Sequence, residues 1–242
     1  ASPLQHYRLP TQLRSRPRER VLTSDEIRVF WAATADLDTP YQEFYRLLLL
    51  TGQRRSEVAG LRVDEIDYQD RLWRLPSDRN KSDRIHVVPL SDLSMDIIKV
   101  LPHYNEGPHL ITSTFGVKPV AGFHKPKALL DKLIQLRVEA DGSDAFAEPW
   151  RVHDLRRTMR TGLSMLGIRE TVAERCLNHA SRGLLKVYDQ WTYIEEKRSA
   201  MQAWASHVEQ LTIPTAESAN GPEVAANGPV APVKHDATNS SA

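Results

Sequence analysis

The chain of 242 residues has room for one large or two small domains, and its 40% hydrophobic and 26% charged residues are ordinary for a soluble globular protein. Its single cysteine, Cys176, excludes an intrachain disulfide and a zinc site with two cysteines, and the nine histidines show no paired ligand spacing. No apolar run reaches transmembrane length and the first residues lack the apolar core of a signal peptide, so we expect a cytoplasmic protein.

The net charge is only +1, but the basic residues are grouped. Residues 1–20 hold five arginines and residues 151–160 hold four, each group with a single acidic residue. Local basic patches on a nearly neutral chain favour a polyanionic partner. Solvated helix faces produce the same pattern, so charge alone leaves both interpretations open.

The first part of the chain predicts three helices after an extended basic segment over residues 1–20. Thr23 and Glu26 have the spacing of a capping box, which marks the start of the first helix. Pro40 starts a second helix that Gly52 ends. Residues 54–61 form a short third helix.

The hydrophobic pattern then changes from a helical period to that of short strands. Three segments separated by polar turns predict a small antiparallel sheet: residues 66–68, 72–75 and 85–88. Ser91 caps a further helix that stops before Pro102. Residues 103–122 are irregular in pattern, with one brief strand expected at residues 110–111.

Two more amphipathic helices are predicted on either side of the most informative part of the chain, over residues 124–138 and 193–211. From residue 212 onward the composition turns to alanine, proline, asparagine, glycine and serine, with few large apolar residues. Such a segment cannot bury enough apolar surface to fold, so we expect residues 212–242 to be disordered.

Residues 152–188 carry the clearest chemical pattern. Four apolar residues at helical spacing predict one buried stripe: Leu155, Met159, Leu163 and Leu166. Arg156 lies about 100° round from Leu155, so its stem is anchored at the edge of the stripe and its guanidinium faces a groove. His153 comes just before this helix, where free backbone N–H groups and the helix dipole favour an anion. Together with His179 and Tyr188, these residues indicate phosphate chemistry.

Two further segments fit a phosphate site. Arg54 starts the third helix, and Glu57 follows on the same face, where its carboxylate can hold a guanidinium or histidine in place. Lys81 places an ammonium at the tip of the loop between the second and third predicted strands. Taken singly, each such residue more often has a structural role, as a surface ion pair, a helix cap or a solvated side chain.

Five segments, in order, resemble the catalytic domain of the tyrosine recombinases, the phage-integrase family. They are TGQRRSE, a hairpin lysine before HVVPLS, HDLRRT, LNH, and a tyrosine nine residues after that histidine. The resemblance implies an α+β domain, mostly helical, with a small three-stranded antiparallel sheet over residues 21–211, between a lead-in of residues 1–20 and the tail. The family's core-DNA-binding domain has no counterpart here, so the resemblance predicts that the chain is a fragment.

The resemblance also implies a role for each residue of the site. Arg54 and Arg156 would clamp the non-bridging oxygens of the scissile phosphate, and His179 would add a third donor. Lys81 would protonate the departing 5′ oxygen, and His153 would help to manage the proton of the nucleophile. No cofactor or metal is implied.

Tyr188 would be the nucleophile, leaving a 3′-phosphotyrosyl bond and a free 5′-hydroxyl. That bond keeps the phosphodiester energy, so rejoining requires no ATP. Tyr193 is a local rival, but Tyr188 has the family's spacing from His179 and Tyr193 starts the next helix. Asn178 stands where many members have glycine, and asparagine also tolerates a left-handed backbone.

The implied function is that of an integrase, which cuts and rejoins double-stranded DNA at attachment sites to integrate or excise a prophage or genomic island. The implied partners are further protomers in a tetrameric synapse and accessory directionality factors, at the bacterial nucleoid and not at a membrane. Two alternatives stay open, a type IB topoisomerase-like enzyme and a DNA-binding module without turnover. The integrase-like C-terminal segment disfavours the first, and the intact set of six residues disfavours the second.

Overall fold

The computed structural model describes residues 19–80, 84–179 and 193–213, and the elements are numbered within these ranges. The helices are α1 (Ser24–Thr34), α2 (Tyr41–Thr51), α3 (Arg55–Ala59), α4 (Asp92–Lys99), α5 (His124–Asp141), α6 (Val152–Met165), α7 (Glu170–Cys176) and α8 (Ile194–Thr212). The strands are β1 (Ile66–Asp67), β2 (Leu72–Leu75) and β3 (His86–Pro89). This mostly helical chain with one three-stranded antiparallel sheet confirms the expected fold class. Lys81, Tyr188, residues 1–18 and residues 214–242 lie outside the described ranges.

The sheet has the order β1-β2-β3, with both pairs of neighbours antiparallel. Leu75 of β2 lies opposite His86 of β3, and both side chains are buried. The third strand starts one residue later than the hydrophobic pattern predicts. The apolar side chain of Ile85 is 69% exposed, whereas the polar His86 points inward, so hydrophobicity misplaced the start.

Local capping signals account for the start of α1 and the end of α2. Thr23 Oγ1 accepts from the Glu26 N–H at 3.2 Å and Glu26 Oε2 accepts from the Thr23 N–H at 2.8 Å, which confirms the capping box. Gly52 ends α2, as predicted, and it does so in a left-handed conformation. Glu26 also pairs with Arg20, so this arginine of the basic lead-in is part of the packed structure.

The core is built around α2, whose residues 47–50 are all buried and which contacts α1, α4, α6 and α8. Gly162 lets α6 approach α8, because a Cβ there would lie 2.1 Å from the ring of Trp204. The Trp204 indole N–H donates to the carbonyl oxygen of Leu49 at 2.9 Å. The last helix therefore holds α6 against α2, so that α6, which carries Arg156, lies beside the helix whose end precedes Arg54.

Three local predictions were wrong in detail. Leu166 ends α6 as its C-cap and is 37% exposed, so the buried stripe stops at Leu163. Residues 110–111 form no strand, since in the described part of the chain this loop has only an isolated bridge between Arg62 and His109. The third helix is shorter than residues 54–61. Within the described ranges, no helix is both long and apolar enough to cross a membrane.

Candidate active site

The start of α6 brings His153 and Arg156 to one end of the helix. Asp154 Oδ2 accepts from the backbone N–H of Arg151 at 2.8 Å and so caps the helix. Because this carboxylate acts three residues after Arg151, the helix begins at Val152 and His153 is its second residue. The prediction that His153 precedes the helix was therefore wrong by two positions, although its ring still lies in the first turn, near the free N–H groups.

The guanidinium of Arg156 is held by the ends of two other helices. Nη1 donates to the carbonyl oxygen of Gly52 at 2.6 Å, and Nη2 donates to that of Leu177 at 2.5 Å. Gly52 and Leu177 are the C-cap residues of α2 and α7, whose last carbonyl groups lack helical partners and carry the negative end of the dipole. The head group is therefore fixed in place, and the residue is only 5% exposed.

Glycine is required at position 52 for two separate reasons. Its φ of +62° lies in the left-handed region, and a Cβ there would come within 2.6 Å of Met159 Sδ and 2.7 Å of Leu177 Cδ2. The Gly52 backbone lies close to Met159, and its carbonyl oxygen accepts from Arg156. The TGQRRSE segment thus contributes a backbone acceptor as well as a side chain.

Arg54 is positioned by Glu57, as the spacing of the two residues suggested. The Arg54 backbone N–H donates to Glu57 Oε2 and its Nη1 donates to Glu57 Oε1, both at 2.8 Å. Glu57 is almost fully buried, whereas the Arg54 side chain keeps 28% of its surface exposed. The neighbouring Gln53 ties this segment to α7 by donating to the carbonyl oxygen of Cys176 at 2.9 Å.

His179 is brought back toward α6 by a left-handed turn. Asn178 has a φ of +52°, in the region that asparagine was expected to tolerate there. The His179 N–H donates to the carbonyl oxygen of Glu174 at 3.0 Å, and the ring Nδ1 bonds to the carboxylate of the same residue. That carboxylate also accepts from Arg160 Nε at 2.6 Å.

These side chains line two clefts that share His153 and Arg156. The first, of about 330 Å³, is lined by Leu48, Gln53, Arg54, Arg55, Ser56, Val152, His153 and Arg156. The second, of about 420 Å³, is lined by Glu19, Val21, His153, Arg156, Arg157, Arg160, Thr161, Leu177 and His179. The structure therefore brings together Arg54, His153, Arg156 and His179, with Glu57 behind Arg54.

The positive charges of Arg54 and Arg156 disfavour further positive charge on the two histidines beside them. Burial, assisted by the charge on Arg54, lowers the pKa of Arg156 to about 10, which leaves it protonated at neutral pH. Partial burial is also the main cause that lowers the pKa of His153 and of His179, and Arg156 and Arg54 lower both further. Glu174 opposes the shift at His179. An anion in the cleft would relieve this repulsion, so the arrangement suits a phosphate.

The base of the loop that contains Lys81 is placed, although Lys81 itself lies outside the described residues. The side-chain amide of Asn80 donates to the carbonyl oxygens of Pro76 at 2.7 Å and Arg84 at 2.6 Å, one on each side of the loop. Asn178 Nδ2 donates to Asn80 Oδ1 at 3.4 Å. The loop therefore starts and ends next to the turn that carries His179.

Of the two tyrosines considered as nucleophile, Tyr188 lies outside the described residues. Tyr193 is described: the guanidinium of Arg175 lies 4.4 Å from the centroid of its ring, and its carbonyl oxygen accepts from the Lys197 N–H at 2.8 Å. Tyr193 thus forms the start of α8, as expected. Within the described ranges, there is also no group of three or more side chains suited to bind a metal ion.

Residues 20–194 match the sequence model of the phage integrase family, which is more than half of the chain. The chain belongs to the phage integrase family. Prophage integrase IntA of Escherichia coli (strain K12) is 28% identical to this family member over 176 residues, covering 72% of this chain and 40% of that protein. The integrase of Enterobacteria phage P4 is 27% identical over 180 residues, covering 68% of this chain and 39% of that protein. This integrase-family chain thus spans about two fifths of the length of these relatives.

Solved structures show the same fold. The integrase from mycobacterium phage Brujita has a TM-score of 0.57 at 14% identity, covering 82% of this chain and 65% of that one. The Tn1549 transposon integrase has a TM-score of 0.53 at 16% identity, covering 77% of this chain and 66% of that one. The match to the family model confirms the resemblance to the phage-integrase family that the sequence motifs indicated.

Sequence reasoning missed the partner of His179. Glu174 lies five residues earlier, a spacing that no regular helix brings into contact, and only the left-handed turn at Asn178 joins the two side chains. It also missed His86, which belongs to the HVVPLS segment but was given no role. His86 is buried, and its Nε2 lies 3.2 Å from the carbonyl oxygen of Cys176. This bond links β3 to the end of α7.

Proposed function

We propose that this chain is the catalytic domain of a site-specific DNA recombinase, an integrase that cleaves and rejoins strands through a 3′-phosphotyrosyl intermediate. The observation that carries the proposal is the fixed guanidinium of Arg156, anchored by two carbonyls between clefts that Arg54, His153 and His179 also line. Buried, permanently charged donors in a fixed geometry stabilise the charge that accumulates on phosphoryl oxygens in a transition state. The family membership supports the same reaction.

In the proposed reaction, the Tyr188 oxygen attacks the phosphorus atom and the bond from phosphorus to the 5′ oxygen breaks. Arg54 and Arg156 bind the non-bridging oxygens, and His179 adds a third contact. Lys81 supplies the proton that the departing 5′ oxygen takes up, and His153 assists in removing the proton of the tyrosine. The reverse attack by a 5′-hydroxyl of another strand restores the phosphodiester and frees the tyrosine, so bonds and protons balance.

The proposed substrate is double-stranded DNA at the attachment sites of a prophage or genomic island. Relatives named prophage integrases support this choice, and the Tn1549 integrase structure contains DNA of a circular transposon intermediate. Exchange between two duplexes requires four strand cleavages, and one tyrosine per protomer makes one of them. We therefore propose a tetramer on DNA, assisted by directionality factors, at the nucleoid in the bacterial cytoplasm.

A suicide substrate with a randomised sequence tests this function, because the attachment site need not be specified in advance. Full-length protein is incubated with a pool of duplexes that share a randomised central sequence, each nicked so that cleavage releases a short fragment and religation fails. EDTA is included, because the proposed reaction needs no metal. We expect a subset of sequences to form a DNA–protein adduct that survives detergent and is removed by protease.

Two other outcomes would overturn the proposal. Reversible binding of the pool with no adduct would favour a DNA-binding module without turnover. Sequence-independent relaxation of a supercoiled plasmid would instead favour a topoisomerase-like enzyme. The variant Arg156→Lys is the control, because it keeps the positive charge but loses the bidentate geometry of the guanidinium. It should form little adduct.

A further inference from the structure

The imidazole of His179 is bound on one side by a carboxylate. Its Nδ1 bonds to Glu174, while the ring lines the cleft that also contains His153 and Arg156. With Nδ1 directed to Glu174, Nε2 is the ring nitrogen that remains for a ligand in the cleft. The orientation of the ring is therefore set by a residue that lines neither of the two clefts.

Glu174 is itself held between α6 and α7. Its second oxygen accepts from Arg160 Nε at 2.6 Å, and Arg160 Nη1 donates to Ser164 Oγ at 2.6 Å on the same helix. Arg160 and His179 together lower the pKa of Glu174, although its partial burial acts in the opposite direction. The carboxylate is thus ionised and fixed beside His179 across the neutral pH range.

The protons on the ring decide what His179 can do. A neutral imidazole whose only N–H is on Nδ1, donating to Glu174, has a lone pair on Nε2 and cannot donate to a phosphoryl oxygen. It becomes a donor there only after taking up a second proton. A carboxylate on the far side of the ring stabilises the resulting imidazolium.

We propose that Glu174 is a positioning residue that fixes the Nδ1 proton of His179 and lets the ring bind a phosphate as an imidazolium through Nε2–H. This inference rests on the proposed function for the identity of the phosphate. The second proton comes from solvent when the anion binds, so binding takes up one proton at pH values where the free ring is neutral. Glu174 then acts on the reaction only through the charge and orientation of His179.

The charges around the ring agree with this assignment. Arg156 on α6 and Arg54 at the start of α3 place positive charge near the ring, and Glu174 on α7 is the opposing carboxylate. The other charged or titratable residues that line its cleft are Glu19, His153, Arg157 and Arg160. In the protein without DNA, burial and the arginines keep the pKa of His179 below its usual range. A phosphate would neutralise the arginines and leave the effect of Glu174 to dominate.

An NMR titration of the ring tests the charge coupling without DNA. The imidazole C–H signals of the full chain are assigned with His179→Gln, and the pKa of His179 is measured in the wild type, in Glu174→Gln and in the control Arg160→Gln. We expect Glu174→Gln to lower the pKa of His179 by about one unit, because an adjacent carboxylate is lost. Arg160→Gln keeps that carboxylate and should not lower it. An unchanged pKa in a folded Glu174→Gln variant would overturn the proposal.

The rate of adduct formation on the suicide substrate separates positioning from a structural role. In Glu174→Gln we expect the rate at neutral pH to fall by roughly 10-fold, and the ratio to the wild-type rate at the same pH to recover as the pH is lowered, since acid restores the imidazolium. An equal loss at every pH would assign Glu174 a structural role only. If the wild type formed no adduct, the proposed function would fail, while the titration would still decide whether Glu174 controls the charge on His179.

Discussion

The guanidinium of Arg156 donates to the carbonyl oxygen of Leu177 at the end of α7 and, through its other terminal nitrogen, to that of Gly52 at the end of α2. One side chain therefore joins three helices at the point where the clefts meet. Stability and the proposed catalysis therefore depend on the same residue. The same contacts that orient the guanidinium also satisfy two helix C-termini.

Replacement of Arg156 by lysine should separate charge from geometry. A lysine ammonium cannot bridge both carbonyls and still present two donors to a phosphate, so we expect adduct formation to slow by roughly 100- to 1000-fold. The free energy of unfolding should fall by about 1–3 kcal/mol, because a buried carbonyl loses its donor. Arg62→Lys is the matched control, since Arg62 lies in an exposed pair with Asp64 and lines neither cleft. Similar losses in the two variants would contradict the assignment.

Glu57→Gln should misplace Arg54 without removing it. The two carboxylate oxygens accept from the backbone and the guanidinium of Arg54, and an amide can accept at only one of these positions. We expect the single-turnover rate of adduct formation to drop by roughly 10- to 100-fold. Asp64→Asn, which alters an exposed carboxylate paired with Arg62, should leave that rate unchanged. An active Glu57→Gln variant would show that Arg54 needs no such support.

Asn80 should matter through the loop that it closes. Asn80→Ala removes the amide that joins Pro76 to Arg84, and we expect the proposed proton transfer from Lys81 to become slow. A DNA substrate with sulfur in place of the departing 5′ oxygen needs no such proton, because a thiolate is a better leaving group. Cleavage of that substrate should therefore be restored in both Asn80→Ala and Lys81→Ala. A defect that the sulfur substrate does not correct would argue against this role of the loop.

His86 should make the fold sensitive to acid. Burial, with Lys197 adding, lowers its pKa to about 3 from the usual value near 6.5, so between these values the unfolded chain binds a proton that the folded chain does not. Its contribution to stability is complete above pH 6.5 and is lost as the pH falls toward 3. Urea unfolding of the wild type and His86→Gln should show the wild type losing up to about 1.4 kcal/mol more per pH unit in this range. Parallel pH profiles would contradict the burial of a neutral ring.

Features with local causes could be predicted from the sequence. The capping box at Thr23, the left-handed end of α2 at Gly52 and the pairing of Arg54 with Glu57 depend on residues within one turn of each other. The left-handed backbone at Asn178 is also a local feature, because it depends on the residue type at that one position. The local backbone conformation or pairing at these positions is favoured by residue types close together in the sequence, so the sequence pattern was sufficient to predict it.

Features that depend on packing between distant segments could not be predicted. The anchoring of Arg156 arises where α2 and α7 end beside α6, and no spacing in the sequence encodes that meeting point. The place of the Glu174–His179 pair in the site is of the same kind, because Glu174 is held there by Arg160 of α6, fourteen residues earlier. Hydrophobic pattern also failed at His86, where a polar ring is buried because its hydrogen bond to a carbonyl compensates for the loss of water.

The most direct test is to find which side chain carries the DNA. The adduct on the suicide substrate is digested with trypsin and nuclease, and mass spectrometry locates the remaining nucleotide. Tyr193, at the start of α8, has its ring packed against Arg175 of α7. We therefore predict that the nucleotide is found on Tyr188. Tyr188→Phe should form no adduct, and Tyr193→Phe should form a normal amount. A nucleotide on Tyr193, or on any residue other than Tyr188, would contradict the account.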